Sequence, residues 1–200
     1  MVVAPLGLLL TSVDWDPLVD ADAAFSAELV ESGRDGDVDV LRALTAIGGA
    51  PVRAAVLAPV AAWLAWRRRW RLVVFVVAGG ALVGAVNELL KRVFDRPRPA
   101  FDAAVDASGF SYPSGHASGT AATATVLVLV FWPVLTRAGR CVSIVLAVVA
   151  AAVVGYSRVA LGVHFGTDVV AGWCVGVAWV LLLAVALRVW PGQPAALTKP

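Results

Sequence analysis

Two histidines and a nearby carboxylate are the side chains of this sequence best suited to chemistry. His116 and His164 are the only histidines among 200 residues, and imidazole exchanges protons near neutral pH. Asp168 follows His164 by four residues, so on a helix or tight turn its carboxylate can reach one ring nitrogen and fix the tautomer. The pattern predicts a site for proton transfer or nucleophilic attack.

Three cations accompany the histidines and indicate an anionic ligand. Lys91, Arg98 and Arg158 flank the histidine clusters in the sequence. Arginine binds two phosphate oxygens at once, while lysine acts as a point charge. Ser114 and Gly115 stand at a predicted helix start, where free N–H groups and the helix dipole favour an anion. These residues together predict a phosphate-binding site.

Each cluster has a plainer interpretation when it is taken alone. Residues 91–98 could be interfacial basic side chains that extend to lipid headgroups. Residues 113–115 could form only a turn and a helix cap, and a single histidine at a membrane edge is more often a packing residue. The combination of all three clusters, in order, favours the phosphate site.

The segments that must position these residues are strongly apolar. The chain is 60% hydrophobic and 15% charged, with a mean hydropathy of +0.84, whereas a soluble domain is about 45–50% apolar and about 25% charged. Five segments are predicted to be membrane helices: 51–66, 72–90, 117–135, 141–156 and 168–189. The first and fourth are short for the about 17–25 residues of a span, so we expect them to extend into flanking turns. The predicted fold class is all-α, a polytopic membrane helix bundle.

The remaining segments flank this bundle. Residues 2–10 are apolar but too short to span a bilayer, so they are either the remnant of a truncated sixth helix or the end of one that starts upstream. Residues 14–43 are acidic, and their polar stretch 32–37 predicts a loop. The predicted organisation is an N-terminal segment over 1–43, a membrane-embedded core over 44–190 and a short tail over 191–200.

Charge and tryptophan positions predict a single orientation. The basic block Arg67–Arg71 lies between two apolar runs, which is typical of a cytoplasmic loop rather than of a nucleic-acid-binding surface. Alternation of the spans then places four tryptophans at the same interface, as in an aromatic belt: Trp66, Trp70, Trp132 and Trp190. We therefore expect a multi-pass protein of the plasma membrane, with no nucleic-acid partner and with its polar clusters on the extracytoplasmic face.

The polar clusters resemble, in order and spacing, the signature of the type-2 phosphatidic acid phosphatase superfamily, which is related to vanadium haloperoxidases and bacterial acid phosphatases. The matching residues are Lys91-x6-Arg98-Pro99, Pro113-Ser114-Gly115-His116 and Ser157-Arg158-x5-His164-x3-Asp168. The resemblance covers residues 44–190 and implies a helical phosphatase core with its motifs at one membrane face. The short N-terminal apolar segment is its departure from the family pattern.

The resemblance also implies a role for each signature residue. His164 would attack phosphorus, Asp168 would orient its ring, and His116 would protonate the leaving group and then activate water. The phosphoryl oxygens would be held without a metal or other cofactor by the remaining signature groups: Lys91, Arg98, Ser114, the Gly115 N–H and Arg158.

The expected function is hydrolysis of a lipid phosphate or an isoprenyl or other lipid diphosphate, with the bilayer as the protein's surroundings. The headgroup, the choice between monophosphate and diphosphate, and the oligomeric state stay open. Two other enzymes could use the same motifs, namely a phosphatase of soluble phosphoesters and a vanadate-dependent haloperoxidase. A non-enzymatic membrane transporter or structural protein is the third alternative, but it would leave the two histidines and three cations without a role.

Three neighbouring charges are expected to have structural roles. Glu88 and Arg92 are four residues apart and predict an ion pair on a helix surface. Arg96 falls outside the signature spacing, so we expect it to position the site residues rather than to bind the phosphate itself. Arg53 is expected to extend to the interface as a headgroup-facing side chain.

Overall fold

The structure is a computed structural model that describes residues 16–190, and over this range it contains seven α-helices and no strand. The helices are α1 Asp16–Arg34, α2 Val38–Ala46, α3 Ala50–Trp66, α4 Trp70–Phe94, α5 Gly115–Phe131, α6 Arg137–Ala160 and α7 Gly166–Ala186. A short 3-10 helix, Trp132–Val134, extends α5. The apolar segment 2–10 and the tail 191–200 lie outside the described range.

Five of these helical stretches are long and apolar enough to cross a membrane, as the sequence predicted: Val38–Trp66, Trp70–Phe94, Gly115–Val134, Arg137–Ala160 and Gly166–Ala186. The two short predicted spans are longer in the structure. The first predicted span is continued toward the N-terminus by α2. The fourth is longer at both ends and has 24 residues. Polar side chains are accommodated at these ends because they find partners; Arg140, for example, donates to the carbonyl of Trp132 at 3.1 Å.

The acidic segment before the first span is helical, so the loop prediction for residues 32–37 was wrong except at 35–37. Helix α1 buries Asp22, Ser26, Val30 and Gly33, which recur at helical spacing along one face. Two of these four side chains are polar, so the hydrophobic pattern that normally indicates a packed helix was absent. The face is nevertheless buried because its polar groups are hydrogen-bonded, as described below.

Helix α5 lies at the centre of the bundle, against α4, α6 and α7. Small residues allow this close approach, because a Cβ added at Gly172 of α7 would lie 2.6 Å from the Ser114 carbonyl oxygen, and one at Gly79 of α4 would lie 2.6 Å from Val126. The core between these helices, toward the Arg67–Arg71 end, is purely aliphatic and aromatic. It includes Leu64, Phe75, Val76, Val126 and Val180.

The outer surface of the bundle is apolar where a bilayer would contact it. On α6, Val145, Leu146 and Val148 are each about 60% exposed, a surface that suits hydrocarbon rather than water. Trp66 and Trp70 are also exposed and flank the basic block Arg67–Arg71. This arrangement matches an interfacial belt beside basic residues.

Candidate active site

Four helix ends and one long connection meet at the face opposite the basic block. Helix α4 ends at Phe94 and is capped by Asp95, which adopts a left-handed conformation and donates its N–H to the Lys91 carbonyl. The connection 95–114 then crosses this face to the start of α5. The turn between α6 and α7, residues 161–165, lies at the same face, and together these segments carry all three sequence clusters.

His164 and Asp168 form a buried pair within this cluster. His164 Nδ1 lies 3.4 Å from Asp168 Oδ2, and the exposed fractions of the two residues are 2% and 0%. Because the carboxylate can only accept there, Nδ1 carries the proton and Nε2 keeps its lone pair. Burial lowers the pKa of His164 to about 4, an effect that its hydrogen bond to Asp168 opposes. The ring is therefore neutral at pH 7, as a nitrogen nucleophile must be.

Arg96 fixes the position of the Asp168 carboxylate. Its Nη1 donates to Asp168 Oδ1 at 2.6 Å and its Nη2 to Asp22 Oδ2 at 2.8 Å, while its guanidinium stacks on Phe165 at 4.1 Å. The N–H of Phe165 donates to the other oxygen, Asp168 Oδ2, at 2.9 Å. The expected supporting position of Arg96 agrees with this geometry, and the contacts fix the carboxylate against His164.

Helix α1 supplies the last members of this buried network, which the sequence reasoning missed. Asp22 accepts from the N–H and the hydroxyl of Thr167, and Ser26 accepts from the N–H of Gly166 at 3.0 Å. These contacts cap the N-terminus of α7, whose first N–H groups have no partner within the helix. The only signal in the sequence was the spacing of Asp22 and Ser26, two polar residues four apart in an acidic segment.

The three predicted phosphate-binding cations converge near the pair. Arg98 Nη1 lies 3.4 Å from His164 Nε2, and the guanidinium also donates to the carbonyls of Ser108, Gly109 and Val163 at 2.9, 3.0 and 2.7 Å. Burial lowers the pKa of Arg98, and the charge of Asp168 opposes that shift. The backbone thus fixes this cation next to the unprotonated ring nitrogen of His164.

The other two cations are held less completely. Arg158 is 6% exposed; its Nη1 donates to Thr45 of α2 at 3.1 Å, while its Nε has no hydrogen-bond partner within the described range. Lys91 donates to the carbonyl of Phe110. Thr45 gave no signal in the sequence, because it belongs to none of the three clusters. A buried guanidinium with an unused N–H is suited to receive an anion.

The start of α5 contributes a second unused polar group. Ser114 donates its N–H to the Asp168 carbonyl at 2.9 Å, but its fully buried hydroxyl has no partner among residues 16–190. Asn87 of α4 holds this turn by donating to the Pro113 carbonyl at 3.1 Å, and it accepts from Ser118 at 3.0 Å. Helix α5 begins at Gly115, so the Ser114 hydroxyl and the first N–H groups of the helix form a corner that is suited to an anion.

His116 lies on the first turn of α5, partly exposed beside the same cluster. The positive charges of Arg158 and Arg98 act on its ring. The structure therefore brings together all eight predicted site residues, and it adds Arg96, Asp22, Thr45 and Asn87 as their supports. Over residues 16–190, no group of three or more histidine, cysteine, aspartate or glutamate side chains is placed to hold a metal ion.

Two minor expectations have opposite outcomes. The ion pair between Glu88 and Arg92 is confirmed, with 3.3 Å between Oε1 and Nε. Arg53 does not reach out to the interface as expected. It turns inward from α3, and its guanidinium packs directly against Gly119 of α5.

The family model of the PAP2 superfamily matches residues 70–190, more than half of the chain, and the chain belongs to that superfamily. This assignment agrees with the sequence resemblance and with the five helices able to span a membrane. The chain is thus a multi-pass membrane phosphatase of the PAP2 class.

Individual relatives are enzymes that act on lipid phosphates. Phosphatidylglycerophosphatase B of Bacillus subtilis is 30% identical over 181 residues, which cover 88% of each chain. An undecaprenyl-diphosphatase of Sulfolobus acidocaldarius is 28% identical over 182 residues, covering 84% of this chain and 81% of the relative. The crystal structure of a transmembrane PAP2-type phosphatidylglycerolphosphate phosphatase from Bacillus subtilis superimposes with a TM-score of 0.79 at 26% identity, covering 93% and 92% of the two chains.

Proposed function

We propose that this protein hydrolyses the terminal phosphate of a membrane lipid through a phosphohistidine at His164. One observation carries the proposal: a buried, neutral His164 directs Nε2 toward Arg98. Two further groups of the same cluster, the Arg158 Nε and the Ser114 hydroxyl, are buried without a partner in the described part of the chain. A bound phosphoryl group would give both of them an acceptor and would place phosphorus beside the nucleophile.

The first step is attack of His164 Nε2 on phosphorus. A P–N bond forms, the P–O bond to the leaving group breaks, and His116 donates a proton to the departing oxygen. Asp168 keeps Nδ1 protonated and stabilises the positive charge that develops on the ring. The result is a phosphoenzyme and a released lipid alcohol or lipid monophosphate.

The second step returns the enzyme to its starting state. His116, now neutral, removes a proton from a water molecule that attacks phosphorus, the P–N bond breaks, and inorganic phosphate leaves. In both steps Lys91, Arg98 and Arg158 stabilise the charge on the phosphoryl oxygens, a role that metal ions fill in many other phosphoryl-transfer enzymes. The proposed reaction needs no metal ion.

A lipid substrate is supported by the position of the cluster and by the relatives. The site lies at the ends of membrane-spanning helices, so a lipid can present its phosphate while its chains stay in hydrocarbon. Extracting a chain into water would cost about 0.8 kcal/mol per CH2. The two curated relatives are named for phosphatidylglycerophosphate and undecaprenyl diphosphate, and we place the substrate of this protein in the same class of lipid phosphates and diphosphates.

The test is phosphate release from a panel of lipids by the purified protein in mixed micelles with EDTA present. The panel contains phosphatidate, phosphatidylglycerophosphate, a prenyl diphosphate and glycerol phosphate. We expect activity on the long-chain lipids, a kcat/KM lower by orders of magnitude on glycerol phosphate, and inhibition by vanadate. Equal efficiency on glycerol phosphate would identify a phosphatase of soluble esters, and loss of activity with EDTA that Mg2+ restores would disprove the metal-free mechanism.

We further propose that the site faces away from the cytoplasm at the plasma membrane. The basic block Arg67–Arg71 and the exposed tryptophans beside it support this orientation. The test uses Arg68→Cys and Ala104→Cys, each in a background without Cys141 and Cys174. An impermeant thiol reagent should label only the cysteine at position 104 in intact cells, and labelling only at position 68 would place catalysis in the cytoplasm.

A further inference from the structure

Arg53 is a cation inside the membrane-spanning bundle that the proposed mechanism does not use. It lies on the first turn of α3, and its Nη1 makes one long hydrogen bond of 3.4 Å to the carbonyl of Gly80. Its Nε is buried and has no acceptor within residues 16–190. A guanidinium has five N–H donors, so most of the hydrogen-bonding capacity of this side chain is unused.

The position of Arg53 relative to His116 indicates what it could bind. Its guanidinium lies against Gly119, where an added Cβ would be 2.5 Å from Cζ. His116 and Gly119 are three residues apart on α5 and so share one helix face, and the charge of Arg53 acts on the His116 ring. Arg53 therefore lies on the side of the site where the proposed mechanism releases its leaving group.

Arg53 also lies deeper in the bundle than the corner formed by the Ser114 hydroxyl and the first N–H groups of α5. Gly115 begins α5 and Gly119 is four residues further along it, which corresponds to about 6 Å along the helix axis. A second phosphate that is joined to the reacting phosphorus through one bridging oxygen, or through a glycerol unit, would fall within this range.

An apolar groove leads from Arg53 along the surface between α3 and α4. Its volume is about 440 Å³, and its lining includes Leu57, Val77, Gly80 and Gly84, with Arg53 as its only charged residue. The groove is open toward the hydrocarbon region, and its single cation would match an acyl or prenyl chain that carries a phosphate at its end.

We propose that Arg53 binds a second phosphate of the substrate, the one attached to the hydrocarbon chain, while that chain lies in the groove between α3 and α4. This inference rests on the proposed phosphatase function and narrows its substrate class. The preferred substrates carry two phosphates, either joined directly as in a prenyl diphosphate or separated by a short polar group as in phosphatidylglycerophosphate.

The test compares two substrate pairs, each made of a lipid with two phosphates and a lipid of the same kind of chain with only one. The first pair is a polyprenyl diphosphate and the monophosphate of the same chain; the second is phosphatidylglycerophosphate and phosphatidate. For Arg53→Gln we expect kcat/KM to fall about tenfold or more on the two-phosphate member, because a charge-assisted hydrogen bond is lost, and less than about threefold on its partner. Arg53→Lys should restore part of the loss, since it restores the charge but not the bidentate geometry.

The matched control is Arg92→Gln. Arg92 is an exposed arginine near the outer end of α4, paired with Glu88, and its replacement should change none of the four rates. A loss of equal size on all four lipids in Arg53→Gln would show a purely structural arginine and would overturn the proposal. If Arg53→Gln lowers kcat/KM selectively within only one of the two pairs, the two-phosphate member of that pair identifies the kind of lipid whose second phosphate Arg53 binds. Wild-type protein that releases phosphate from none of the four lipids would instead refute the proposed function.

The groove has its own test, one that does not involve a buried charge. A Cβ added at Gly84 meets nothing within 4 Å, so Gly84→Leu should fill the groove without a clash. We expect this variant to raise KM severalfold for long-chain substrates and to leave it unchanged for short-chain analogues. Ala85→Leu is the control, because Ala85 is exposed outside the groove. The same KM change in both variants would show that no chain lies between α3 and α4.

Discussion

The two ends of the helix bundle are built on different principles. Toward the basic block, the interior consists of fully buried apolar side chains such as Leu64, Phe75 and Val180. At the opposite face, charged groups are buried just as deeply, with Arg96 at 4% and Asp168 at 0% exposure. Apolar burial stabilises a fold without requiring particular partners, whereas a buried charge destabilises it unless its neighbours are correctly placed.

The comparison shows where function resides in this molecule. At the polar face each buried charge has at least one well-placed partner, and the Arg158 Nε and the Ser114 hydroxyl are buried polar groups that are free to bind an anion. The buried side chains of the apolar end carry no polar groups, so they cannot bind an anion in this way. Substitutions at the polar face should therefore change the reaction, and substitutions at the apolar end should change only stability.

The largest effect is expected for His164→Ala. Removing the proposed nucleophile should reduce kcat by about 10⁴-fold or more, while the helical content of the protein stays unchanged. Phosphate release and far-ultraviolet circular dichroism, measured on the same preparation, test this. A variant that kept more than a tenth of the wild-type rate would rule out His164 as the nucleophile.

A smaller effect on the rate is expected for Thr45→Val. The change keeps the side-chain shape but removes the hydrogen bond that holds the Arg158 guanidinium, so one of the proposed phosphate-binding cations loses its fixed position. Hydrogen bonds to charged groups contribute about 1.5 kcal/mol or more, so we expect kcat/KM to fall about tenfold. The melting temperature should stay similar to that of the wild type. Thr136→Val, which removes a cap from α6 at the other end, should lower stability slightly and leave kcat/KM unchanged.

The protonation of His164 gives a third test. In His116→Ala protein without an affinity tag His164 is the only histidine, so the pH dependence of its carbon NMR shift reports one ring. We expect a midpoint near the lowered pKa of about 4, because burial disfavours the cation, whereas a free imidazole titrates at about 6.5. A midpoint at 6 or above would contradict the buried, neutral nucleophile.

The same shift has a consequence for stability. The unfolded chain binds this proton at about pH 6.5, whereas the folded chain binds it only near the lowered pKa of about 4. The contribution of neutral His164 to stability is therefore present above pH 6.5 and is lost as the pH falls toward 4. Thermal unfolding of wild type and His164→Ala across this range should show the difference.

The smallest effect on the reaction is expected for Phe75→Ala. This substitution leaves a cavity in the apolar end, where Phe75 is fully buried, and such changes cost about 3–5 kcal/mol of unfolding free energy. The kcat of the protein that remains folded should stay within about twofold of wild type, because no polar network is touched. A comparable loss in kcat would show that the two ends are coupled.

The sequence was informative about features that depend on local pattern. Long apolar runs predicted the five spans, because a membrane helix must satisfy its own backbone and face hydrocarbon. The spaced polar clusters predicted which residues meet at one face of the bundle. Glu88 and Arg92 were predicted to pair because residues four apart on a helix are neighbours.

Features that depend on tertiary contacts could not be predicted in this way. Helix α1 packs through Asp22 and Ser26, whose partners lie far along the chain at the start of α7. No local pattern could therefore indicate where this helix packs. Thr45 and Asn87 belong to no motif, and the groups that they hold are distant in the sequence. Arg53 was expected at the headgroups, but Gly119 leaves room for it to turn inward.

The most direct test of the central claim is the trapping of the phosphoenzyme. The His116→Ala variant is mixed with a long-chain lipid phosphate that carries a radioactive phosphoryl group on a leaving group acidic enough to depart without a proton. Because this variant lacks the base for the second step, we predict rapid labelling of the protein, stable in alkali and lost in acid, and no labelling when His164 is also replaced by Ala. Label that persists without His164, or no label in the single variant while lipid product is still released, would contradict a phosphohistidine mechanism.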